Sequence, residues 1–509
     1  MGISFACHNR RMLTENDKQS CVEATEFVLS EMERFQKLFA SGASFPQIFG
    51  AGHSSLGEMT AQVKHAETGR QFTCGREGLK AFEKIATILL QGRPDAEDFD
   101  KSELTERLGN TFLTFVLADL RRPLDSYIEE WILAAIHYVH SHHRCRTHYL
   151  PCVALQIGKE DSYKFGPITF LRKNLFRVKA MRSFQKYEAA RSRLSKRAQR
   201  NAAPGLEWCW KRSAGSATKS PEEVFEEFAR GVDWIATIRI PRCAGTVSEA
   251  RAEIALRAAL ASFTLLLQGT EGADLRLGDD PFLPPKTNKL SSIGEGIFRP
   301  SSSWKFGVPA VDEGWQQYIA SQGKPVVEVM EHLIQQIIDG KTPSFGFQIA
   351  LRAIRWYADA IRDPNPETQL IKCATAIECL LFPQRGKATA TFVIRGALLA
   401  QRQGFPMSHW APIARRLYER RSDVAHGNVE SLREAQNESS RAPLEFTRNV
   451  VLQFLVFCRQ LQPLGARRCG TREDFLDLYR ECEGAFHDDI AAIMKQYQLN
   501  WKIVPKPPQ

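Results

Sequence analysis

Arg421 and His426 stand five residues apart in the run Arg415-Arg416-Leu417-Tyr418-Glu419-Arg420-Arg421-Ser422-Asp423-Val424-Ala425-His426-Gly427. These two residue types can cut a ribose-phosphate chain without a metal. The neighbouring 2'-hydroxyl is the nucleophile in that reaction, so a group that titrates near neutrality must move its proton, and imidazole does this. Charge developing on the phosphoryl oxygens needs a permanent cation, and a planar guanidinium meets it with two donors. His426 is thus the candidate proton carrier and Arg421 the candidate phosphate cation, with Ser422 and Asp423 placed to orient either one. Gly427 follows, a residue able to leave helical geometry.

The spacing restricts how the two can meet. Five helical steps of about 100° set Arg421 and His426 roughly 140° apart, on different sides of a straight helix. Either the helix breaks near Asp423, or a second copy of the chain brings its own motif across an interface. Glu378, in Ala376-Ile377-Glu378-Cys379-Leu380, lies at the margin of an apolar stripe and can hold Arg421 or His426; the plainer alternative is a flanking carboxylate paired with some arginine. Arg415, Arg416 and Arg420 add three cations on the motif's own helix as candidate RNA contacts.

The wording RSDVAHG, the preceding Ala376 to Leu380 segment and the downstream helix rich in Val, Leu and Phe resemble the RxxxxH signature of HEPN domains, and within them the Apea-like branch. The resemblance covers about residues 340 to 465. It implies an all-α bundle, metal-independent RNA cleavage without a cofactor, and a two-fold homodimer with a composite site, the commonest oligomer symmetry. Proteins resembling this branch are often bacterial toxin-like or anti-phage defence effectors, so an N-terminal half that senses a trigger or restrains the nuclease is expected. The competing expectation is a HEPN bundle that dimerises and binds RNA or a nucleotide without cleaving it.

The chain's 68 Lys and Arg against 58 Asp and Glu leave a net charge of +10. The segment 172–200 alone carries that surplus, since its eleven basic residues face only Glu188. Arg182, Lys186, Arg191, Arg193, Lys196 and Arg197 lie there among Phe176, Phe184 and Tyr187, a mixture suited to tracking phosphates and stacking bases. Its bland alternative is a solvated helix face. His140, His142, Cys145, His148 and Cys152 are weak metal candidates: zinc takes these ligand types, but their spacing is irregular, and His137 and His140 also suit a helix C-terminus. No metal is expected. Gly50, Gly52 and Gly57 make no dinucleotide fingerprint, Gly386-Lys387-Ala388 no phosphate loop, and Asp95 to Glu103 reads as a polar helix start.

Four regions must position these residues. Residues 1–146 read as mostly helical. Residues 147–339 read as α+β, with a hairpin from Tyr149–Ile157 and Phe165–Leu171 whose second strand Pro167 would hold at a sheet edge, and with a long loop over Gly278–Ser303 followed by a returning strand at Trp304–Val308. Residues 340–465 show successive helical stripes with clear stops, and 466–509 one helix over Asp474–Tyr497 and a tail. The fold class is therefore predominantly helical α+β, with a C-terminal all-α bundle. The apolar runs near Ala259–Leu267 and Phe454–Cys458 fall short of the roughly 18 residues a membrane span needs. With no secretory core at Met1–Ala6 and twelve scattered Cys without a CxxC pair, a cytosolic location is expected.

Overall fold

Phe82, Phe112 and Trp131 are fully buried and meet edge to face, with ring centroids 5.5, 5.8 and 6.5 Å apart. In the computed structural model they hold together the first of two compact units, Met1–Arg146 with Ile240–Arg251. The structure describes residues 13–40, 60–64, 71–91, 93–116, 123–124, 128–179, 181–182, 221–267, 275–277, 286–292, 298–304, 310–311, 314–315, 323–382, 387–401, 405–427, 441–461 and 471–502.

In this unit α1 (Glu15–Ala40), α2 (Arg76–Leu90), α3 (Lys101–Phe115) and α4 (Ile128–His142) bury one apolar face each. Trp131 keeps its indole N–H satisfied by donating to Thr111 Oγ1 at 2.9 Å, which lets the large ring sit in the core. Asp100 caps α3 by accepting from the Ser102 and Glu103 amides. A hairpin of β1 (Thr60–Lys64) and β2 (Gln71–Gly75) interrupts the expected helical run. Its five-residue strands contain Val63 and Phe72 as their only large apolar residues, too few to show a period of two. Arg251 closes the unit, donating to Asp98 Oδ1 and to the Glu97 carbonyl, both at 2.8 Å.

The second unit, Thr147–Arg239 with Ala252–Gln509, contains the sheet and the bundle. The strands are β3 (Arg144–Val153), β4 (Gln156–Ile157), β5 (Ser162–Phe165), β6 (Ile168–Arg172), β7 (Trp234–Cys243) and β8 (Arg276–Leu277). Five of them form one sheet in the order β5-β6-β7-β3-β8. α5 (Pro221–Phe228) precedes β7, and α6 (Gly245–Leu266) follows it. Phe263 of α6 lies against Tyr163, Phe165 and Phe170, so the helix covers one face of the sheet.

Two expectations for this region change. The hairpin is β5–β6, closed between Phe165 and Ile168 by Gly166-Pro167, and β3 instead pairs with β8. Gly166 takes φ +54 at the first turn position, the backbone that two-residue hairpins ask of glycine. Because Pro167 sits in that turn, it costs the ladder no donor, and β6 lies inside the sheet rather than at its edge. Within the expected loop over Gly278–Ser303, β9 (Lys286–Ser292) and β10 (Phe298–Trp304) pair antiparallel from Phe298↔Ser292 to Trp304↔Lys286. Pro300 is tolerated because a two-stranded sheet has only edges. Trp304 thus ends a strand, and 305–309 lie outside the described residues. β11 (Ala310–Val311) pairs parallel with β4.

The bundle begins earlier than its sequence stripes suggest, with α7 (Lys324–Ile338), which packs on α12. It continues through α8 (Phe345–Arg362), α9 (Pro366–Leu381), α10 (Ala388–Ala400), α11 (Met407–Ala425) and α12 (Arg441–Leu461). Asp363-Pro364 ends α8, and Asn365 caps α9 by accepting from the Glu367 amide at 2.9 Å, with Pro366 in the first turn. Asp474–Tyr497 is two helices, α13 (Arg472–Ala485) and α14 (His487–Tyr497), joined at Phe486. The chain is a predominantly helical α+β protein, and among the described residues no helix is long and apolar enough to cross a membrane.

One buried ion pair joins the last helices to the bundle. Arg395 on α10 and Glu483 on α13, whose side chains are 2% and 3% exposed, meet at 2.8 Å. Arg395 also donates to the Leu381 carbonyl at 2.9 Å, satisfying an acceptor that the end of α9 leaves open. Phe382, in the left-handed conformation at φ +52, ends that helix.

Candidate functional site

The end of α11 decides where the motif residues stand. The His426 amide donates to the Ser422 carbonyl at 3.0 Å and the Gly427 amide to the Val424 carbonyl at 3.1 Å. The helix therefore runs unbroken through Ala425, and Gly427 at φ +73 turns the chain away. Of the two ways the motif could assemble, a break near Asp423 is absent. Arg421 and His426 consequently leave the helix on different sides.

Arg421 points back into the bundle. Its Nη2 donates to Glu378 Oε2 on α9 at 3.3 Å, with the two side chains 32% and 23% exposed. Burial raises the Glu378 pKa above its ordinary value, and the Arg421 charge opposes that shift without cancelling it. His426 is exposed, while Ser422 and Asp423 are half-buried. Glu378, Arg421 and the following turn thus form one surface, with His426 presented beyond it.

The other arginines of α11 divide by face. Arg415 is held structurally: it pairs with Glu419 at 2.6 Å, donates to the Tyr497 carbonyl at 3.3 Å and lies 5.2 Å over the Tyr497 ring. Arg416 and Arg420 line a cavity of about 240 Å³ floored by Leu370, Leu417 and Pro443. That flank of the motif helix thus presents arginine and apolar side chains side by side.

The basic segment is described only in its first part, where 173–179 are helical. There Lys173 and Arg177 pair with Glu226 of α5 at 2.8 and 3.4 Å, and Arg172 lies 5.2 Å over the Trp234 ring. Arg182 is exposed. Lys186, Arg191, Arg193, Lys196 and Arg197 lie outside the described residues, as do the motif-like Gly50, Gly52 and Gly386.

The His/Cys candidates are not drawn into a metal site. His140 and His142 occupy the last turn of α4, where His142 Nδ1 donates to the Tyr138 carbonyl at 2.7 Å. Cys145, His148 and Cys152 are spread along β3, and burial pushes the Cys152 thiol up to about 12. Among the described residues no group of three or more His, Cys, Asp or Glu is placed to hold a metal ion.

Sequence reasoning missed Arg395, Glu483 and Tyr479, which hold α13 against the end of α9. A signal existed: Arg395 is the one charged residue of Ala388–Ala400, a helix otherwise apolar enough to be buried, and a buried guanidinium requires a carboxylate. Compared with protein-family models, curated proteins and solved structures, the chain matches none.

Proposed function

We propose that this chain is a metal-independent endoribonuclease of the HEPN type, acting as a homodimer whose site combines Arg421 of one copy with His426 of the other. One observation carries the reading: α11 is continuous through the motif, fixing Arg421 against Glu378 and leaving His426 exposed on another side. A continuous helix keeps one chain from closing its own motif, and a two-fold axis brings each histidine to the other copy's arginine.

His426 accepts the 2'-hydroxyl proton of RNA, the 2'-oxygen bonds to phosphorus, and the 5'-oxygen leaves and takes up a proton from water. The products are a 2',3'-cyclic phosphate and a 5'-hydroxyl. Arg421 meets the charge on the phosphoryl oxygens, with Ser422, Asp423 and Glu378 as its positioning neighbours. Arg416 and Arg420 hold the RNA through their cationic, apolar flank, and Arg182 with the segment after it feeds the strand in. No cofactor takes part. The chain acts in the cytosol as a toxin-like or anti-phage effector, and its N-terminal half or a partner restrains it until a trigger arrives.

The experiment is RNA cleavage by purified protein in EDTA, beside His426→Ala and Arg421→Ala. Cleavage to 2',3'-cyclic ends, lost in both variants, is the expected result. Wild-type protein that leaves RNA intact, or a His426→Ala form that cleaves equally, would sink the reading. A second reading, a non-catalytic RNA- or nucleotide-binding scaffold, is favoured by the Arg421–Glu378 pair, since a paired guanidinium also suits a packing role. It expects RNA binding without any cleavage and no growth arrest on expression.

A further inference from the structure

Tyr138 on α4 is held between two partners. The Arg107 guanidinium of α3 lies 3.4 Å from its ring centroid, and the His142 imidazole, one turn further along α4, stacks on it at 4.2 Å with the planes 25° apart. Groups this close to one ring occupy its opposite faces, so the three form a continuous stack. The stack ends on His142, which is exposed and whose other face meets no further ring among the described residues. Its orientation is fixed, since Nδ1 donates to the Tyr138 carbonyl at 2.7 Å.

Cations flank the end of the stack. Arg144 Nη1 donates to the Ser141 carbonyl at 3.0 Å, and Arg242 of β7 donates through Nε to the His143 carbonyl at 2.9 Å and through Nη2 to the His140 carbonyl at 3.2 Å. These contacts cover carbonyls with which the end of α4 would repel an anion. Of the five N–H donors in a guanidinium, Arg144 spends one and Arg242 two, and both residues are exposed. Arg146 lies against the Gly245 backbone, where any side chain would overlap its guanidinium. None of Arg107, Arg144, Arg146 and Arg242 forms an ion pair with a carboxylate among the described residues. Glu103 is the carboxyl on which His142, Arg107 and Arg146 act together: burial, then the charge of Asp100, raise its pKa against their pull. Asp100 itself is engaged in capping α3 and by the Thr246 hydroxyl.

We propose that this surface binds single-stranded nucleic acid, one base stacking on the outer face of His142 and the adjoining phosphates lying on Arg144, Arg146 and Arg242. An aromatic platform beside guanidiniums with unspent donors is the arrangement that single strands use, because every base has a face to stack and every phosphate a charge to meet. Capping the end of α4 accounts for the two carbonyl contacts; it asks neither for the stack nor for an open imidazole face. All of these residues belong to the first unit, whereas the α11 motif belongs to the second, so the proposal stands independently of the ribonuclease reading.

The test is fluorescence anisotropy of the full chain with a labelled single-stranded DNA of about twelve nucleotides, which has no 2'-hydroxyl to drive cleavage. His142→Ala should weaken binding about tenfold, the usual worth of one stacked base, and His142→Phe should restore it to within about twofold, because a base stacks on either ring. Both variants lose the hydrogen bond to the Tyr138 carbonyl, so recovery in His142→Phe separates lost stacking from a loosened helix end. Arg144→Gln/Arg242→Gln should flatten the slope of log affinity against log salt by about 1.4 units, about 0.7 for each phosphate contact. Duplex DNA of the same length should compete about tenfold less well, since its bases are not free to stack. Unchanged affinity in His142→Ala, a His142→Phe chain as weak as His142→Ala, or an unchanged salt slope overturns the proposal. Duplex that competes equally also overturns it, because binding would then be by charge alone.

Discussion

Arg421 Nη2 and Glu378 Oε2 lie 3.3 Å apart, longer than the roughly 2.7–2.9 Å of a strong charge-assisted hydrogen bond. The pair holds Arg421 in place without using all its donors, and a phosphate can compete for it.

Glu378→Gln should therefore strengthen RNA binding severalfold, measured by fluorescence anisotropy, because the carboxylate's charge no longer opposes the phosphate. Stability at neutral pH should move by less than about 1 kcal/mol, as expected for a part-exposed pair. Burial raises the Glu378 pKa, so its protonated form is the one folding favours. That contribution is present at low pH and is lost as pH rises through the folded pKa. Lowering pH into the range just above the ordinary carboxylate value should mimic Glu378→Gln in the wild type and leave the variant unchanged. Unchanged or weaker binding by Glu378→Gln would contradict competition between the carboxylate and phosphate for Arg421.

His143 offers a pH test in the first unit. It is 2% exposed, its Nε2 has no hydrogen-bond partner among the described residues, and burial followed by the charge of His140 lowers its pKa to about 4. An unfolded imidazole protonates near 6.5, so stability present above that pH is lost as pH falls toward 4, by up to about 3 kcal/mol. Thermal denaturation of the wild type should weaken between these values more steeply than that of His143→Phe. Parallel curves would contradict the assignment.

The buried Arg395–Glu483 pair predicts strong coupling. Glu483→Ala should cost about 3–5 kcal/mol in urea denaturation, because it strands a guanidinium, whereas Arg395→Met/Glu483→Leu should recover most of that loss. Additive single effects would remove the pair from its proposed role of holding α13 on the bundle.

The bundle was legible because its signals are local and repeated: of the stripe Phe347, Ala350, Leu351, Ile354, Ala358 and Ile361 all but the half-buried Leu351 are buried, and Asp363-Pro364 stops α8 where proline chemistry requires. The sheet was less so. Pro167 reads equally as an edge-strand residue or a turn residue, and only the Phe165↔Ile168 register decides. The contact of Glu378 with Arg421 followed from its place at the margin of a stripe.

Salt dependence tests the basic segment. Lys173 and Arg177 already face Glu226, so reversing their charge should change RNA affinity little. Reversal at Arg191, Arg193, Lys196 and Arg197 should flatten the slope of log affinity against log salt by up to about three to four units if all four contact phosphates. An unchanged slope would return the segment to a solvated face.

The composite site is tested most directly by mixing two inactive chains. Arg421→Ala and His426→Ala homodimers should each fail to cleave RNA in EDTA. After unfolding and refolding together, half of the dimers are mixed, and each mixed dimer carries one intact Arg421–His426 pairing across the interface. Recovery of about a quarter of wild-type activity, with 2',3'-cyclic phosphate ends, is the predicted result. No recovery, while the wild type treated the same way regains its activity, would contradict it.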